Sequence, residues 1–375
     1  MEVKLGEVKL GEVNLGEVNL GKIVKLSYPS HLCRRALAFA LAAVFLLGLS
    51  ACNRKGRRVL EVNYVSAGQA TLRDQVVTIY NRVGTVKNGE RVEVLEREKR
   101  FSRVRTAGGI EGWIEQRYLV DQTTYDGLQK LTQENLSDPV QSPGVLRNDT
   151  NLRLTPGRET EHLYQLSAGA RVSVLKRATA EKQPGASALA KSGGKTSGGK
   201  ASSGPALEDW WLVRDAQNRV GWVLSRMVDI DVPLEVAQYA EGQRFVAFFV
   251  LNQVQDAGKE GGDKKISQYL CAITEPHDGL PYDYDQIRVF TWNVRKHRYE
   301  TAYREHGLNG ALPVTVTSEN FDKEGTLPVF ILHVKDDSGN TSERKYKLNT
   351  PMVRRVLATG EQKQTPKPAT NRRRR

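Results

Sequence analysis

Gly89-Glu90-Arg91-Val92-Glu93-Val94-Leu95 and Gly169-Ala170-Arg171-Val172-Ser173-Val174-Leu175 are one segment written twice. Each alternates apolar and polar positions around a Val-x-Val core, the period of a half-buried strand. The match extends outward. Upstream, Leu72-Arg73 corresponds to Leu152-Arg153. Downstream, Val104-Arg105 precedes Gly112-Trp113-Ile114 at the same interval at which Val213-Arg214 precedes Gly221-Trp222-Val223. Arg117 and Arg226 follow the two tryptophans at equal distance, each trailed by an apolar pair and an aspartate, Asp121 or Asp229. Runs rich in Val, Thr, Tyr and Trp, punctuated by glycine, point to a mainly β chain.

The pattern Leu-Arg, Gly-x-x-Val-x-Val-Leu, Val-Arg, Gly-Trp-Ile/Val resembles bacterial SH3 domains, which occur mostly in cell-wall-associated and extracytoplasmic proteins. The resemblance implies two small SH3-like barrels, over residues 58–123 and 143–232, each closing its sheet and so limiting exposed edges. The second copy departs from the first between Leu175 and Val213. There a Gly/Ser/Ala/Lys-rich insertion, near 178–207, cannot bury a core and is expected to loop out of a hairpin as a flexible segment. Trp113 and Trp222 read either as packing beneath their own barrels or as ligand-stacking rings. In Trp210-Trp211, adjacent strand residues face opposite sides. Trp211 is aligned with Phe101 and expected inside, which leaves Trp210 facing solvent or the loop as a ligand candidate.

Residues 234–357 do not repeat the pattern. Strand-like runs at Arg244–Leu251, Gln268–Ile273, Gln286–Val294, Tyr299–Tyr303, Ala311–Thr317, Leu327–Val334 and Arg344–Leu348 are separated by turn signals. These are Gly261-Gly262, Pro281, Asn309-Gly310 and Asp337-Ser338-Gly339-Asn340, the last expected to close a hairpin. An all-β domain follows, sandwich-like or an open barrel, joined through a short helix near Leu234–Glu241. The Pro- and Arg-rich tail, 358–375, reads as disordered, and its terminal arginines Arg372–Arg375 suit anionic surfaces nonspecifically.

At the other end, Arg34-Arg35 precedes the uncharged, mostly apolar run Ala36–Leu49, and Leu49-Ser50-Ala51-Cys52 closes it. A basic flank, an apolar core too short to span a bilayer and small residues at a cut site read as a signal peptide over residues 1–51. With the cysteine in place, the segment resembles the lipobox of bacterial lipoproteins. That resemblance implies lipidation of Cys52, cleavage before it, and a membrane tether in place of a spanning helix. Asn53 behind the lipidated cysteine points to the outer membrane, facing the periplasm. The near-perfect EVKLG/EVNLG pentads at 2–21 are too few to bury a core and are expected to leave with the signal. Among the chain's 3 cysteines, Cys271 would then lack a partner, so no intrachain disulfide framework is expected.

Catalytic signals are weak. Cys271 with His277 or His297 would make a thiol–base pair, but Tyr269-Leu270-Cys271-Ala272-Ile273 is a strand, without the helix start that lowers a thiol's pKa. The histidines and cysteines lack zinc spacing, and no metal site or cofactor is expected. Asp278, Asp283 and Asp285 crowd a turn and would suit calcium, without the spaced oxygens of a known loop. Arg295-Lys296-His297-Arg298 form a cationic hairpin tip, and with Tyr299 they suit an anionic or sugar ligand. The net charge of +13 falls largely on the tail and the insertion, and no specific nucleic-acid partner is expected. The sequence therefore reads as a lipid-anchored, non-enzymatic cell-envelope protein whose SH3-like domains bind peptidoglycan or an envelope protein. The alternative is a cell-wall enzyme with its active site in residues 234–357.

Overall fold

The computed structural model describes residues 57–182, 206–258, 264–336 and 338–357. The pentads, the signal segment with Cys52, the middle of the insertion, Asp337 and the basic tail lie outside them. Three seven-stranded antiparallel sheets make up the described chain, within one compact unit from Val59 onward. No helix among the described residues is long and apolar enough to cross a membrane.

The first sheet comprises β1 (Glu61–Val65), β2 (Gln69–Arg73), β3 (Arg82–Lys87), β4 (Arg91–Glu98), β5 (Phe101–Thr106), β6 (Glu111–Glu115) and β7 (Leu119–Asp121). The second comprises β8 (Ser142–Leu146), β9 (Thr150–Arg153), β10 (His162–Leu166), β11 (Arg171–Glu181), β12 (Leu207–Asp215), β13 (Val220–Leu224) and β14 (Val228–Ile230). Their hydrogen-bonded orders, β3-β2-β6-β5-β4-β1-β7 and β10-β9-β13-β12-β11-β8-β14, are the same order carried by successive strands. The sequence repeat is thus a repeat of topology. The orders run open from β3 to β7 and from β10 to β14, so the expected barrels are not closed by strand pairing among the described residues.

The recurring Gly-Trp has a steric reason. A Cβ on Gly112 would lie 2.8 Å from the Cβ of Leu72, and one on Gly221 would lie 2.7 Å from that of Leu152, so the Leu-Arg strand crosses only over glycine. In each repeat the residue after the tryptophan enters the core. Ile114 joins Val65, Leu72, Val92, Val94 and Val104, and Val223 joins Leu152, Val172, Val174 and Val213.

A helix absent from the sequence reading, α1 (Gln122–Glu134), connects the repeats. Asp121 caps it by accepting the Thr124 N–H at 2.8 Å, and Leu128 enters the second core at 1% exposure. Tyr64 of the first sheet enters that same core and stacks on Tyr125 of α1 with centroids 4.0 Å apart. Asn88 donates to the Leu163 carbonyl at 2.7 Å and accepts the Gln165 N–H at 3.0 Å. The two repeats are packed together rather than strung on a linker.

The third sheet runs in sequence order: β15 (Arg244–Gln255), β16 (Lys265–Thr274), β17 (Tyr284–Asn293), β18 (Arg298–Asn320), β19 (Thr326–Lys335), β20 (Thr341–Asn349) and β21 (Met352–Val356). It curls until β15 meets β18 and β19, enclosing one apolar cluster around Leu270, Ile287, Phe330 and Tyr346. A second cluster on Cys271, Phe290 and Tyr299 lies against Val236 of the short helix α2 (Leu234–Ala237). Two of the expected strands, Tyr299–Tyr303 and Ala311–Thr317, are one 23-residue strand. Asn309-Gly310 is not a turn. Gly310 pairs with Tyr284 on one side and Val334 on the other, and the Tyr284 ring occupies the space a Cβ would need. Strand β21 gave no signal in Met-Val-Arg-Arg-Val, whose exposed edge position tolerates charge.

Candidate functional site

The insertion is smaller than the sequence implied. Strands β11 and β12 pair through Ala178↔Trp210 and Thr179↔Asp209 to Glu181↔Leu207, so the ladder consumes both ends of the expected 178–207 loop. This lengthened arm docks the second sheet on the third. Asp209, fully buried, accepts from Arg177 Nη2 at 2.7 Å, Arg244 Nη2 at 2.6 Å and the Gly279 N–H at 3.0 Å. Arg177 also reaches Asp283 at 3.2 Å and the Tyr282 carbonyl at 2.8 Å. Burial pushes the Asp209 carboxyl up, but the Arg177, Gly279 and Arg244 contacts outweigh it and hold it below the ordinary carboxylate value. Asp278 is likewise taken, by Arg244 Nη1 at 2.9 Å. Asp278 and Asp283, considered above for calcium, are partners of arginine, and no group of metal-ligating side chains is assembled among the described residues.

Trp210 is placed differently from expectation. Phe101 faces Glu115 across the ladder and Trp210 faces Leu224, while Ser102 faces Ile114 and Trp211 faces Val223. Trp210, not Trp211, therefore matches Phe101. Trp210 is 3% exposed and Trp211 2%, so the expected solvent-facing ring is buried. Trp113 is buried at 6%. Trp222 is half-buried on the side opposite Val223, packed against a small cluster of Leu175, Leu212 and Val220 that Leu131 of α1 also packs against.

The cationic hairpin forms as expected between β17 and β18, with Arg295, Lys296 and Arg298 exposed. Glu300 takes Lys296 at 2.9 Å and Arg298 at 3.3 Å. Hydrogen bonds from Asn293 and then Lys296 hold its carboxyl down to about 2. Tyr299 is a core residue: it is 9% exposed and donates to the Ser267 carbonyl at 2.9 Å. Cys271 is fully buried in β16, and burial raises its thiol pKa far above the ordinary value, the reverse of an activated nucleophile.

Two clefts occupy related positions in the two repeats, a relation invisible until the sheets are superposed by strand order. In the first, of about 340 Å³, Ser102, Gln116, Leu119 and Val120 form one wall, and Thr124 and Glu161 close it. In the second, of about 540 Å³, Trp211, Ser225, Val228 and Asp229 form the corresponding wall, and Arg244, Phe245 and His277 of the third-sheet region close it. Each repeat thus presents the same wall to whatever follows it in the chain.

Comparison with known proteins adds one decisive observation. Residues 68–120 match the bacterial SH3 domain. The matched segment covers β2 to β6 and reaches into β7, so the smaller cleft belongs largely to this SH3 segment. No curated protein matches the chain. Solved structures similar to it include an NlpC/P60 family protein from Bacillus cereus, 11% identical, covering 64% of this chain and 93% of that one, with a TM-score of 0.21. Another is NlpC2 from Trichomonas vaginalis, 9% identical, covering 80% and 96%, with a TM-score of 0.16. Scores this low support no argument about fold or activity.

Proposed function

We propose that the chain is a non-enzymatic cell-envelope protein that binds peptidoglycan or an envelope protein partner, tethered to the outer membrane through lipidated Cys52. The bacterial SH3 match over residues 68–120 carries the reading, since such domains accompany cell-wall proteins. The second sheet, with its matching strand order and Gly-Trp crossing, extends it to a tandem pair over residues 58–123 and 143–232. The lipobox ending in Cys52 supports the tether. For the enzyme reading, Cys271 supplies no support: it is buried mid-strand with a raised thiol pKa. Tether and wall contact are separable in cells. Palmitate should label the wild type but not Cys52→Ser, while both co-sediment with the wall fraction. Equal labelling of the two would remove the tether. A Cys52→Ser chain found free in the soluble extracytoplasmic fraction would remove the wall contact.

A further inference from the structure

The repeat contains its own control for the larger cleft. In the first repeat, Arg117 Nε reaches Glu115 at 2.9 Å and the guanidinium lies 4.8 Å from the Tyr118 ring centroid. The related positions of the second repeat hold Leu224 and Met227 in place of Glu115 and Tyr118. Arg226 has therefore lost both partners. It is exposed, and it forms no ion pair or hydrogen bond among the described residues. It interacts Coulombically with Glu208, which is already held by Arg158 Nε at 2.8 Å.

Arg226 also stands where two cavities meet. It lines the 540 Å³ cleft with Trp211 and a second cavity, of about 340 Å³, with Trp210. The other arginines of the larger cleft are engaged: Arg147 Nε with Asp229 at 2.7 Å, and Arg244 with Asp209 and Asp278. One positive charge is left without a counter-charge in that lining, on Arg226. Phe245, Pro276, Val228 and Ile230 supply apolar wall beside it.

We propose that Arg226 anchors a small anionic group, a carboxylate or a phosphate, of a ligand seated in the 540 Å³ cleft at the seam of the second and third sheets. A guanidinium whose donors take no intramolecular hydrogen bond or ion pair offers its planar fork to either group, and the apolar wall takes the uncharged part of the ligand. The site rests on the wall-binding reading only for where such a ligand would come from: the C-terminus of a wall peptide, or a phosphate of an envelope polymer.

Tri-alanine and inorganic phosphate, titrated separately into the full chain and followed by tryptophan fluorescence, test it. At least one should bind saturably. Arg226→Gln should weaken that binding about tenfold, the scale of a charge-assisted contact, and Arg226→Lys should restore part of it. Arg117→Gln should leave it unchanged. Neither Arg226 variant should shift the melting temperature by much, because the exposed side chain gives up only a Coulombic interaction with Glu208, which Arg158 already holds. Saturation by tri-alanine alone identifies the carboxylate source, and saturation by phosphate alone the other. No saturable binding of either probe, or equal binding by Arg226→Gln, overturns the site. Pelleting of the wild type with purified sacculi is scored separately: if the probe titrations overturn the site, a chain that still pellets keeps the wall-binding reading.

Discussion

Trp210 shows how a single register step redirects a function argument. Placed opposite Leu224 and 3% exposed, it is packing, and Trp210→Ala should cost about 3–5 kcal/mol in denaturant unfolding. Lost wall binding with unchanged stability would return the ring to the ligand surface. The strand and the presence of one inward tryptophan were legible in the sequence. Which of the two matches Phe101 was legible too, since Phe101 precedes Val104 by the interval at which Trp210 precedes Val213, and the ladder agrees with that count. Tyr299 was illegible: its neighbours Arg295 to Arg298 advertise a surface, while its own ring turns under the sheet. Glu300 gives a prediction in pH. Hydrogen bonds from Asn293 and Lys296 depress its folded pKa from 4.5 to about 2. The contacts it makes are therefore complete above about pH 4.5 and fade as the pH falls toward 2. A side-chain NMR titration should place its midpoint near 2, and a midpoint near 4.5 would mean the hairpin tip does not hold this carboxylate.

At the scale of elements, the lengthened arm of β11 and β12 does the docking that the insertion's composition conceals. Ala178-Thr179-Ala180-Glu181 reads as the start of a polar loop, yet it pairs residue for residue with Leu207–Trp210, because Arg177 reaches Asp283 and Asp209 reaches Arg244 and Gly279, all in the third-sheet region. Breaking that buried pair leaves an uncompensated charge. Asp209→Ala should destabilise the chain by about 3–5 kcal/mol, measured by urea unfolding. Since the Asp209 carboxyl is held below its ordinary 3.8, its contribution is full above that value and is lost as the pH falls further. Replacing residues 183–205 with a tight turn should leave the melting temperature nearly unchanged, since the ladder already closes at Glu181↔Leu207; a large drop would show that the replaced segment packs. Helix α1 was legible in retrospect. Asp121 stands at a capping position, and Tyr125, Leu128 and Leu131 recur at helical spacing, but Gly127 and a polar composition masked the stripe.

For the whole molecule, the shared core changes what tandem repeats mean. Tyr64 of the first sheet, Leu128 of α1 and Val246 of the third sheet enter the core of the second, and Gln141, fully buried, accepts the Val314 N–H at 2.7 Å. The two related clefts are consequently held at fixed separation instead of sampling it through a linker; under the wall-binding proposal, a repeating polymer would meet two preset points. The central claim is that this fused unit binds the wall. Sedimentation of the purified full chain with purified sacculi, over a salt series, tests it most directly. The chain is expected in the pellet at low salt, with partial release as salt screens its arginine contacts. A chain that stays in the supernatant at low salt would contradict the account.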